Sequence, residues 1–328
     1  MRAIVIFLLL TSTVMSQDLK EIKSLNGLMC DPDSGVCEVP NTGEAKGTAL
    51  EMLNANTSAQ KIKVIYFTDP ICSSCWGIEP QLKKLKMEYG DRLEIDYRMG
   101  GLLPDWSYNS GGISKPSDVA HHWDEVSVYY DMPIDGDVWL EDPLHSSYPP
   151  SIAFKAAQMQ DEKKAVEFLR VLRIQLFLQK KNICKWEHVE AAANEVGLNA
   201  AELKKAFEGK AKQAFEDDLA YARSLGVRGF PTIFFVDENN QKHLVYGSRP
   251  YGDYVNTLQK IDQNLVKINY DVTSENLFKN FNSLTLKEYS FLRNIQQQKA
   301  LMELQSLENE KKLERIDSKN GSIWISKF

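Results

Sequence analysis

The stretch "YFTDPICSSCWGIEPQLKKL", which begins at Tyr66, places Cys72 and Cys75 two residues apart between an apolar run and an amphipathic one. Such a pair can exchange electrons with a disulfide, supply half of a metal site, or pack as two small core residues. We expect Cys72 at the N-terminus of a helix, where unsatisfied N–H groups and the helix dipole favour a thiolate. A moderately lowered pKa of Cys72 is therefore predicted.

The spacing gives the two sulfur atoms different roles. Cys72 is the predicted nucleophile that forms a mixed disulfide, and Cys75, about one helical turn further, is close enough to resolve it. The intervening Ser73 and Ser74 supply neither the ring of a proline nor the cation of a histidine. This chemistry needs no cofactor other than the redox-active disulfide itself.

The remaining cysteines are Cys30, Cys37 and Cys184. Cys30 and Cys37 flank turn-forming residues in "LMCDPDSGVCEVP", so a disulfide can close this loop in an oxidising compartment, whereas both stay thiols in the cytosol. Zinc is the weaker interpretation, because the two pairs lie far apart and no His-x-x-x-His accompanies them. We predict no metal site, and we interpret Cys184 as a buried apolar residue.

A second element that bears on this chemistry is Phe230-Pro231 in "GVRGFPTIFF". Proline is tolerated at a strand entrance where its missing N–H is not needed. A cis bond before Pro231 would present the backbone of Phe230 to an extended substrate, and a trans, strand-initiating proline is the alternative. Trp76 is interpreted either as a substrate-side shield of the site or as a core residue.

The periodicity predicts the elements that position these residues. "KIKVIYFTD" is a buried strand, a helix runs from Trp76 to Gly90, and "RLEIDYRM" is a second strand, parallel to the first. An all-helical block follows, and then "FPTIFFVDENNQKHLVYG" gives two strands before a closing helix. The order is βαβ, helical insertion, ββα. A C-terminal helix or helix pair comes last, with Thr285 and Glu288 as a capping box.

The ends and the composition limit the choice of function. The first 16 residues resemble a signal peptide, with one Arg before an apolar core and a cleavage site after Ser16. A net charge of −6 without a basic cluster argues against nucleic acid as a partner. Beyond residue 20 no apolar run is long enough to cross a membrane.

These observations divide the chain into five predicted parts. They are a probable signal peptide, 1–16; an N-terminal lead with Cys30 and Cys37, 17–60; a thioredoxin-fold domain, 61–114 and 227–264; an inserted helical domain, 115–226; and a linker with a C-terminal helical extension, 265–328. The predicted fold class is α/β.

The combination of Cys-x-x-Cys after a strand, a large helical insertion and G-V-x-G-x-P-T resembles the DsbA family of the thioredoxin superfamily, over about residues 61–262. The resemblance implies Cys72 as attacking cysteine, Cys75 as resolving cysteine and Pro231 as cis-proline. "DPICSSCWGIEPQLKKLKMEYG", "FLQKKNI" and "YGSRPYGDY" are similar to the branch of bacterial proteins that contains the YjbH/SpxH adaptors of the ClpXP protease.

Two functions follow from this resemblance. The first is a DsbA-like enzyme that is exported, for instance to the periplasm, and exchanges disulfides with protein substrates. Catalysis would use Cys72, Cys75 and Pro231, and substrates would contact Trp76 and Phe230. The second is a cytoplasmic adaptor that presents a redox-responsive client to ClpXP. A third, a glutathione-dependent isomerase of small molecules, is disfavoured because such enzymes normally carry a single Ser or Cys at the position of Cys72.

Overall fold

The computed structural model describes residues 30–31, 35–38, 61–107 and 114–328. The predicted signal peptide and most of the predicted lead lie outside the described residues. The described strands are β1 (Cys30–Asp31), β2 (Val36–Glu38), β3 (Ile62–Thr68), β4 (Leu93–Met99), β5 (Gly229–Phe230), β6 (Thr232–Val236), β7 (Lys242–Tyr246), β8 (Ser283–Thr285), β9 (Leu313–Ser318) and β10 (Gly321–Ser326).

The described helices lie between these strands along the chain. They are α1 (Ser73–Gly77), α2 (Glu79–Tyr89), α3 (Pro116–Tyr130), α4 (Val138–Glu141), α5 (Tyr148–Gln158), α6 (Glu162–Phe177), α7 (Trp186–Glu195), α8 (Ala200–Glu208), α9 (Lys210–Ser224), α10 (Tyr251–Ile261), α11 (Ser274–Asn280), α12 (Leu286–Arg293) and α13 (Gln297–Asn309). A short 3₁₀ helix at Gly90–Arg92 follows α2.

The central sheet has the strand order β4-β3-β6-β7. Strand β3 runs parallel to β4 and antiparallel to β6, and β7 is antiparallel to β6. With α1 and α2 crossing between β3 and β4, and α10 after β7, this is the predicted βαβ and ββα order. The predicted thioredoxin fold with a helical insertion is confirmed.

Strand β3 lies at the centre of this sheet and separates two apolar clusters. Val64 and Tyr66 pack on one face with Leu82 of α2 and Leu258 of α10. Phe67 points to the opposite face and belongs to the large cluster formed with the inserted helices. Since successive side chains of a strand alternate between faces, a strand covered on both sides is apolar almost throughout.

The described elements of the inserted segment between β4 and β5 are helices, α3 to α9, with no strand among residues 114–226. Two of its helices begin at side-chain caps. The Asp161 carboxylate accepts from the N–H groups of Lys163 and Lys164, and the Asn199 side chain accepts from those of Ala201 and Glu202. Such caps satisfy the first N–H groups of a helix, which otherwise have no partner.

The C-terminal extension contains the predicted pair of helices, α12 and α13, and the Thr285–Glu288 capping box is present. It also contains a three-stranded antiparallel sheet, β8-β10-β9, which the sequence analysis missed. The missed signal is Asn320-Gly321, a pair typical of tight hairpin turns, followed by the alternating segment "GSIWIS". Trp324 of β10 and Leu304 of α13 share one apolar cluster, so the helices pack on the protein's own core.

A buried cluster of charges fastens this extension to the thioredoxin fold. The Glu288 carboxylate, fully buried, accepts from Lys83 of α2 at 2.8 Å and from Arg170 of α6 at 2.7 Å. Glu79 accepts from the same Lys83 at 2.8 Å and from Arg173 at 2.8 Å. Removing one partner of such a cluster leaves a buried charge uncompensated, which strongly destabilises the fold.

Glu79 gives this cluster a pH dependence. Burial by itself would raise the pKa of Glu79, but the charges of Lys83, Arg170 and Arg173 outweigh it and lower the pKa from 4.5 to about 2. Because the folded value lies below the unfolded one, the stabilisation is complete above pH 4.5 and is lost as the pH falls toward 2. We expect Glu79→Gln to lower the free energy of unfolding by ~3 kcal/mol at pH 7.

The measurement is urea unfolding between pH 7 and pH 2, with Glu94→Gln in β4 as the matched control, since Glu94 is exposed. The difference between the unmutated chain and Glu79→Gln should shrink as Glu79 becomes protonated. A difference that stays constant over this range would contradict the assigned pKa.

Candidate redox site

Cys72 is the N-cap of α1, at the carboxyl end of strand β3. Its Sγ accepts from the backbone N–H of Cys75 at 3.1 Å. Both cysteines are fully buried, and both are free thiols. The fold therefore holds the two sulfur atoms side by side at a helix start, under a cover that excludes water.

This burial changes the pKa of Cys72 in the direction opposite to the expected one. Burial raises the pKa of Cys72 well above its usual value, so the predicted lowering is wrong for this arrangement. Burial also opposes ionisation of Cys75, but a hydrogen bond from Cys72 and the charge of Arg173 outweigh it and lower the pKa of Cys75. The helix start alone predicted an accessible thiolate, whereas the desolvation of Cys72 is the larger effect.

The cover over Cys72 is an N-terminal strand pair, β1 and β2. Strand β2 extends the short strand β5, with Cys37 opposite Phe230 and Glu38 opposite Gly229 in antiparallel register. Cys37 is disulfide-bonded, and its Sγ lies 3.1 Å from the Sγ of Cys72. The backbone of Cys30 lies directly opposite Cys37 in the pair of β1 with β2. The sequence analysis did not predict that this segment reaches the Cys-x-x-Cys site.

Two glycines permit the close approach of the strand pair. A Cβ at Gly229 would lie 2.4 Å from Val36 Cγ1 and 2.8 Å from the carbonyl oxygen of Cys37. Gly35 has a φ of 65° and accepts a hydrogen bond from the Ser248 N–H at 2.7 Å, and a Cβ there would lie 2.7 Å from Ser248 Cβ. Both positions therefore require the absence of a side chain.

The Phe230–Pro231 peptide bond is cis. It joins β5 to β6, so the strand that pairs with Cys37 ends at this bond. The Phe230 ring is fully buried and leaves no room for a side chain at Gly100, where a Cβ would lie 1.7 Å from its Cζ. Phe230 thus meets the strand pair through its backbone, while its side chain fills the core.

Trp76 is buried in this structure, as the core interpretation expects, and its substrate-binding role remains a prediction. Trp76 is fully buried and its Nε1 donates to the Pro133 carbonyl at 3.1 Å. The Arg170 guanidinium lies 4.2 Å from the indole ring, and the Phe177 ring packs against it. Trp76 points inward because α1 turns this face toward the inserted helices.

Asp69 and Arg173 are site residues that the sequence analysis missed. Arg173 of α6 donates to the Thr68 hydroxyl at 2.7 Å and to the Asp69 carbonyl at 3.1 Å. The Asp69 carboxylate accepts from the N–H of Leu102 at 2.8 Å and from the Ser147 hydroxyl at 2.9 Å. Burial raises the pKa of Asp69 to about 6 in spite of these bonds. Only the fold brings Arg173, about 100 residues away in sequence, beneath the cysteines.

Ser74, one of the two residues between the cysteines, also has a defined partner. Tyr130 of α3 donates its hydroxyl to the Ser74 Oγ at 2.8 Å, and its ring lies against Gly77, where a Cβ would be 2.4 Å away. The inserted helices therefore seal the Cys-x-x-Cys helix on one side, and the N-terminal strand pair seals Cys72.

No group of three or more His, Cys, Asp or Glu side chains among the described residues is placed to hold a metal ion. Within the part of the chain that the structure describes, no helix has the length and apolarity of a membrane span. Cys184 donates to the Ser146 carbonyl at 2.9 Å, and burial raises the pKa of its thiol to about 11.

Comparison with known proteins places this geometry in a family. Residues 66–256 match a family model described as thioredoxin. The ClpXP adapter protein SpxH of Halalkalibacterium halodurans is 31% identical over 305 residues, which cover 91% of this chain and 97% of that protein. The chain belongs to the SpxH branch of the DsbA-like thioredoxin superfamily. The SpxH protein of Bacillus subtilis is 29% identical over 81% of this chain and 89% of its own length.

Solved structures agree with this branch in fold. A Nitrosomonas europaea protein described as a disulfide isomerase has a TM-score of 0.55 at 20% identity, over 62% of this chain and 98% of its own. The cytosolic disulfide reductase DsbM of Pseudomonas aeruginosa has a TM-score of 0.50 at 20% identity, over 60% and 98%. Both likenesses concern the fold.

The close approach at Gly229 gives this SpxH-branch protein a testable property. We expect Gly229→Ala to displace the strand pair from β5, since the new Cβ would overlap Val36 and the Cys37 carbonyl. Cys72 should then react with iodoacetamide at least about tenfold faster, which corresponds to ~1.4 kcal/mol of docking free energy. Mass spectrometry of the alkylated peptide gives the rate.

Gly252→Ala in α10 is the matched control, because a Cβ there meets nothing within 4 Å. An unchanged rate in Gly229→Ala would show that the strand pair does not limit access to Cys72.

Proposed function

We propose that the chain is a thiol–disulfide oxidoreductase that exchanges disulfides with protein segments through Cys72 and Cys75. The observation that supports this most strongly is the placement of Cys37. A disulfide-bonded sulfur lies 3.1 Å from Cys72 Sγ, on a strand whose backbone pairs with Phe230. A protein substrate that adds a strand to the same edge would present its disulfide to Cys72 in the same way.

The roles of the residues follow from this arrangement. The Cys72 sulfur attacks the substrate disulfide, and the bond between the two substrate sulfurs breaks as the mixed disulfide forms. Cys75 then attacks Cys72 and releases the second substrate sulfur, and each departing thiolate takes up a proton. Phe230 positions the substrate by backbone pairing, and Pro231 lies at the entrance of the next strand.

The compartment is part of the proposal. A disulfide at Cys37 is typical of an oxidising environment, and this agrees with the predicted signal segment. We therefore propose export, with a mature N-terminus near Gln17. N-terminal sequencing of the protein from fractionated cells tests this, and an intact Met1 in the cytoplasmic fraction would contradict it.

A second candidate function is favoured by the relatives, which are named ClpXP adapter proteins and match over 91% of this chain in the case of the Halalkalibacterium halodurans protein. In this alternative the chain holds a redox-responsive client for proteolysis by ClpXP, and the cysteines act as a sensor. Binding would then depend on surfaces such as the C-terminal extension rather than on thiol chemistry.

The two functions predict different behaviour of cysteine variants. We expect Cys75→Ala to accumulate covalent adducts with disulfide proteins, because the resolving sulfur is missing, whereas Cys72→Ala forms none. The measurement is a non-reducing gel after incubation with insulin, beside an insulin-reduction assay of the unmutated chain. Cys184→Ala is the matched control, since Cys184 is a free thiol that takes no part in the proposed exchange.

The adaptor alternative predicts no adduct with Cys75→Ala and no thiol-dependent turnover. It also predicts that a client is degraded equally well with both single variants. That set of results would overturn the proposed enzyme function while leaving the fold assignment intact.

A further inference from the structure

We propose that the Cys30–Cys37 disulfide is a built-in redox partner of the Cys72–Cys75 pair, so that four cysteines of one chain form an electron relay. This inference rests on the proposed oxidoreductase function and adds an intramolecular reaction to it. It assigns to the N-terminal strand pair a chemical role that its position in the sequence does not indicate.

The first support is that the Cys72 thiol contacts a sulfur atom of a disulfide. Of the five cysteines, Cys72, Cys75 and Cys184 are free thiols, and Cys37 is disulfide-bonded. The register of β1 with β2 puts the backbone of Cys30 opposite Cys37, so we infer that Cys30 is the partner. A reduced thiol and a sulfur of a disulfide thus lie 3.1 Å apart, which are the two groups that thiol–disulfide exchange requires.

The second support is that burial, strand pairing and a hydrogen bond hold Cys37 against Cys72. Val36 and Cys37 are buried, at 1% and 0% exposure, although they belong to a two-stranded segment at the edge of the molecule. Pairing of β2 with β5 and the Ser248–Gly35 hydrogen bond hold them there. Holding two reacting groups in contact replaces a bimolecular encounter with an intramolecular step, which is faster by a large factor.

The third support is exclusion. While the strand pair occupies the edge of β5, Cys72 and Cys75 are both 0% exposed. An external disulfide that must add to this edge competes with the strand pair for the same backbone groups of Phe230 and Gly229. In this closed arrangement the disulfide in contact with Cys72 is the one that contains Cys37.

The exchange begins as Cys72 releases its proton. Cys72 Sγ then attacks Cys37 Sγ, the Cys72–Cys37 bond forms, and the Cys37–Cys30 bond breaks with Cys30 leaving as a thiolate. Next Cys75 releases its proton and attacks Cys72, so the Cys72–Cys75 bond forms and Cys37 leaves as a thiolate.

The two thiolates of the strand pair finally take up the two protons that Cys72 and Cys75 released. Two electrons have moved from Cys72 and Cys75, which are oxidised to a disulfide, to Cys30 and Cys37, which are reduced. The charge of Arg173 favours the thiolate form in which Cys75 makes the second attack.

The test uses the full chain with Cys75→Ala, in which the relay must stop after its first step. The protein, with its Cys30–Cys37 bond formed, is incubated with N-ethylmaleimide to cap any Cys30 thiol that is released. Non-reducing digestion before aspartate residues separates Cys30 from Cys37, because Asp31 and Asp33 lie between them. In the absence of insulin or any other added disulfide, we expect a Cys37–Cys72 linked peptide as the main product containing Cys72, together with capped Cys30.

Two controls make the outcome unambiguous. Cys72→Ala should keep the Cys30–Cys37 bond and leave Cys30 uncapped, and Cys75→Ala combined with Cys184→Ala should behave as Cys75→Ala alone. In the unmutated chain, prepared with Cys72 and Cys75 reduced, transfer of the disulfide should proceed at a rate that does not change on dilution. A rate that rises with protein concentration would show exchange between molecules and overturn the relay.

Failure of the relay can be told from failure of the enzyme function. If Cys75→Ala shows no Cys37–Cys72 peptide but forms an adduct with insulin through Cys72, the relay is wrong and the oxidoreductase proposal stands. If it forms neither, both proposals fall.

Discussion

The burial of one sulfur atom, Cys72 Sγ, is the constraint on which the rest of this structure depends. It is enclosed by the Cys-x-x-Cys helix, by the inserted helices that pack on that helix, and by a disulfide-bearing strand pair at 3.1 Å. Because desolvation penalises the charged form, the enclosure turns a predicted thiolate into a thiol of raised pKa. Cys72 can therefore react with an external disulfide after the strand pair leaves β5, or with the Cys37 disulfide that is already in contact with it.

The charge beneath the cysteines has to be compensated, and this links distant parts of the chain. Arg173 lies under the site, bonds to the Asp69 carbonyl, and shares Glu79 with Lys83. Lys83 in turn bonds Glu288 of the C-terminal extension. Buried ions tolerate the loss of a partner poorly, and these contacts connect the extension, the inserted helices and the redox site.

Much of the fold could be predicted from the sequence, because local sequence patterns determine many of its elements. The run at β3, the helical periodicity of the insertion and the Thr285–Glu288 box each depend on neighbours in the chain. The fold class and the family resemblance were correct for the same reason. The hairpin of β9 and β10 was missed although Asn320-Gly321 marks its turn, because only helices were predicted for the C-terminal extension, 265–328.

The candidate site was predictable only in part, because its character is set by contacts between residues far apart in sequence. The Cys72–Cys75 spacing identified the reacting pair. The docking of Cys37 against Cys72, the inward turn of Trp76 and the placement of Arg173 are tertiary events that no local pattern specifies. The one local trace is glycine at 35 and 229, where the two backbones meet.

In the proposed mechanism a protein substrate occupies the same edge of β5 as the N-terminal strand pair. The most direct measurement is amide hydrogen exchange of Cys75→Ala after a disulfide-containing extended peptide has been attached to Cys72. If the strand pair and the peptide compete for β5, exchange in residues 35–38 becomes fast on attachment, while the β9–β10 hairpin, which belongs to a separate sheet, keeps its protection. Continued protection of residues 35–38 with the peptide attached would show that the strand pair and a substrate do not compete for this edge.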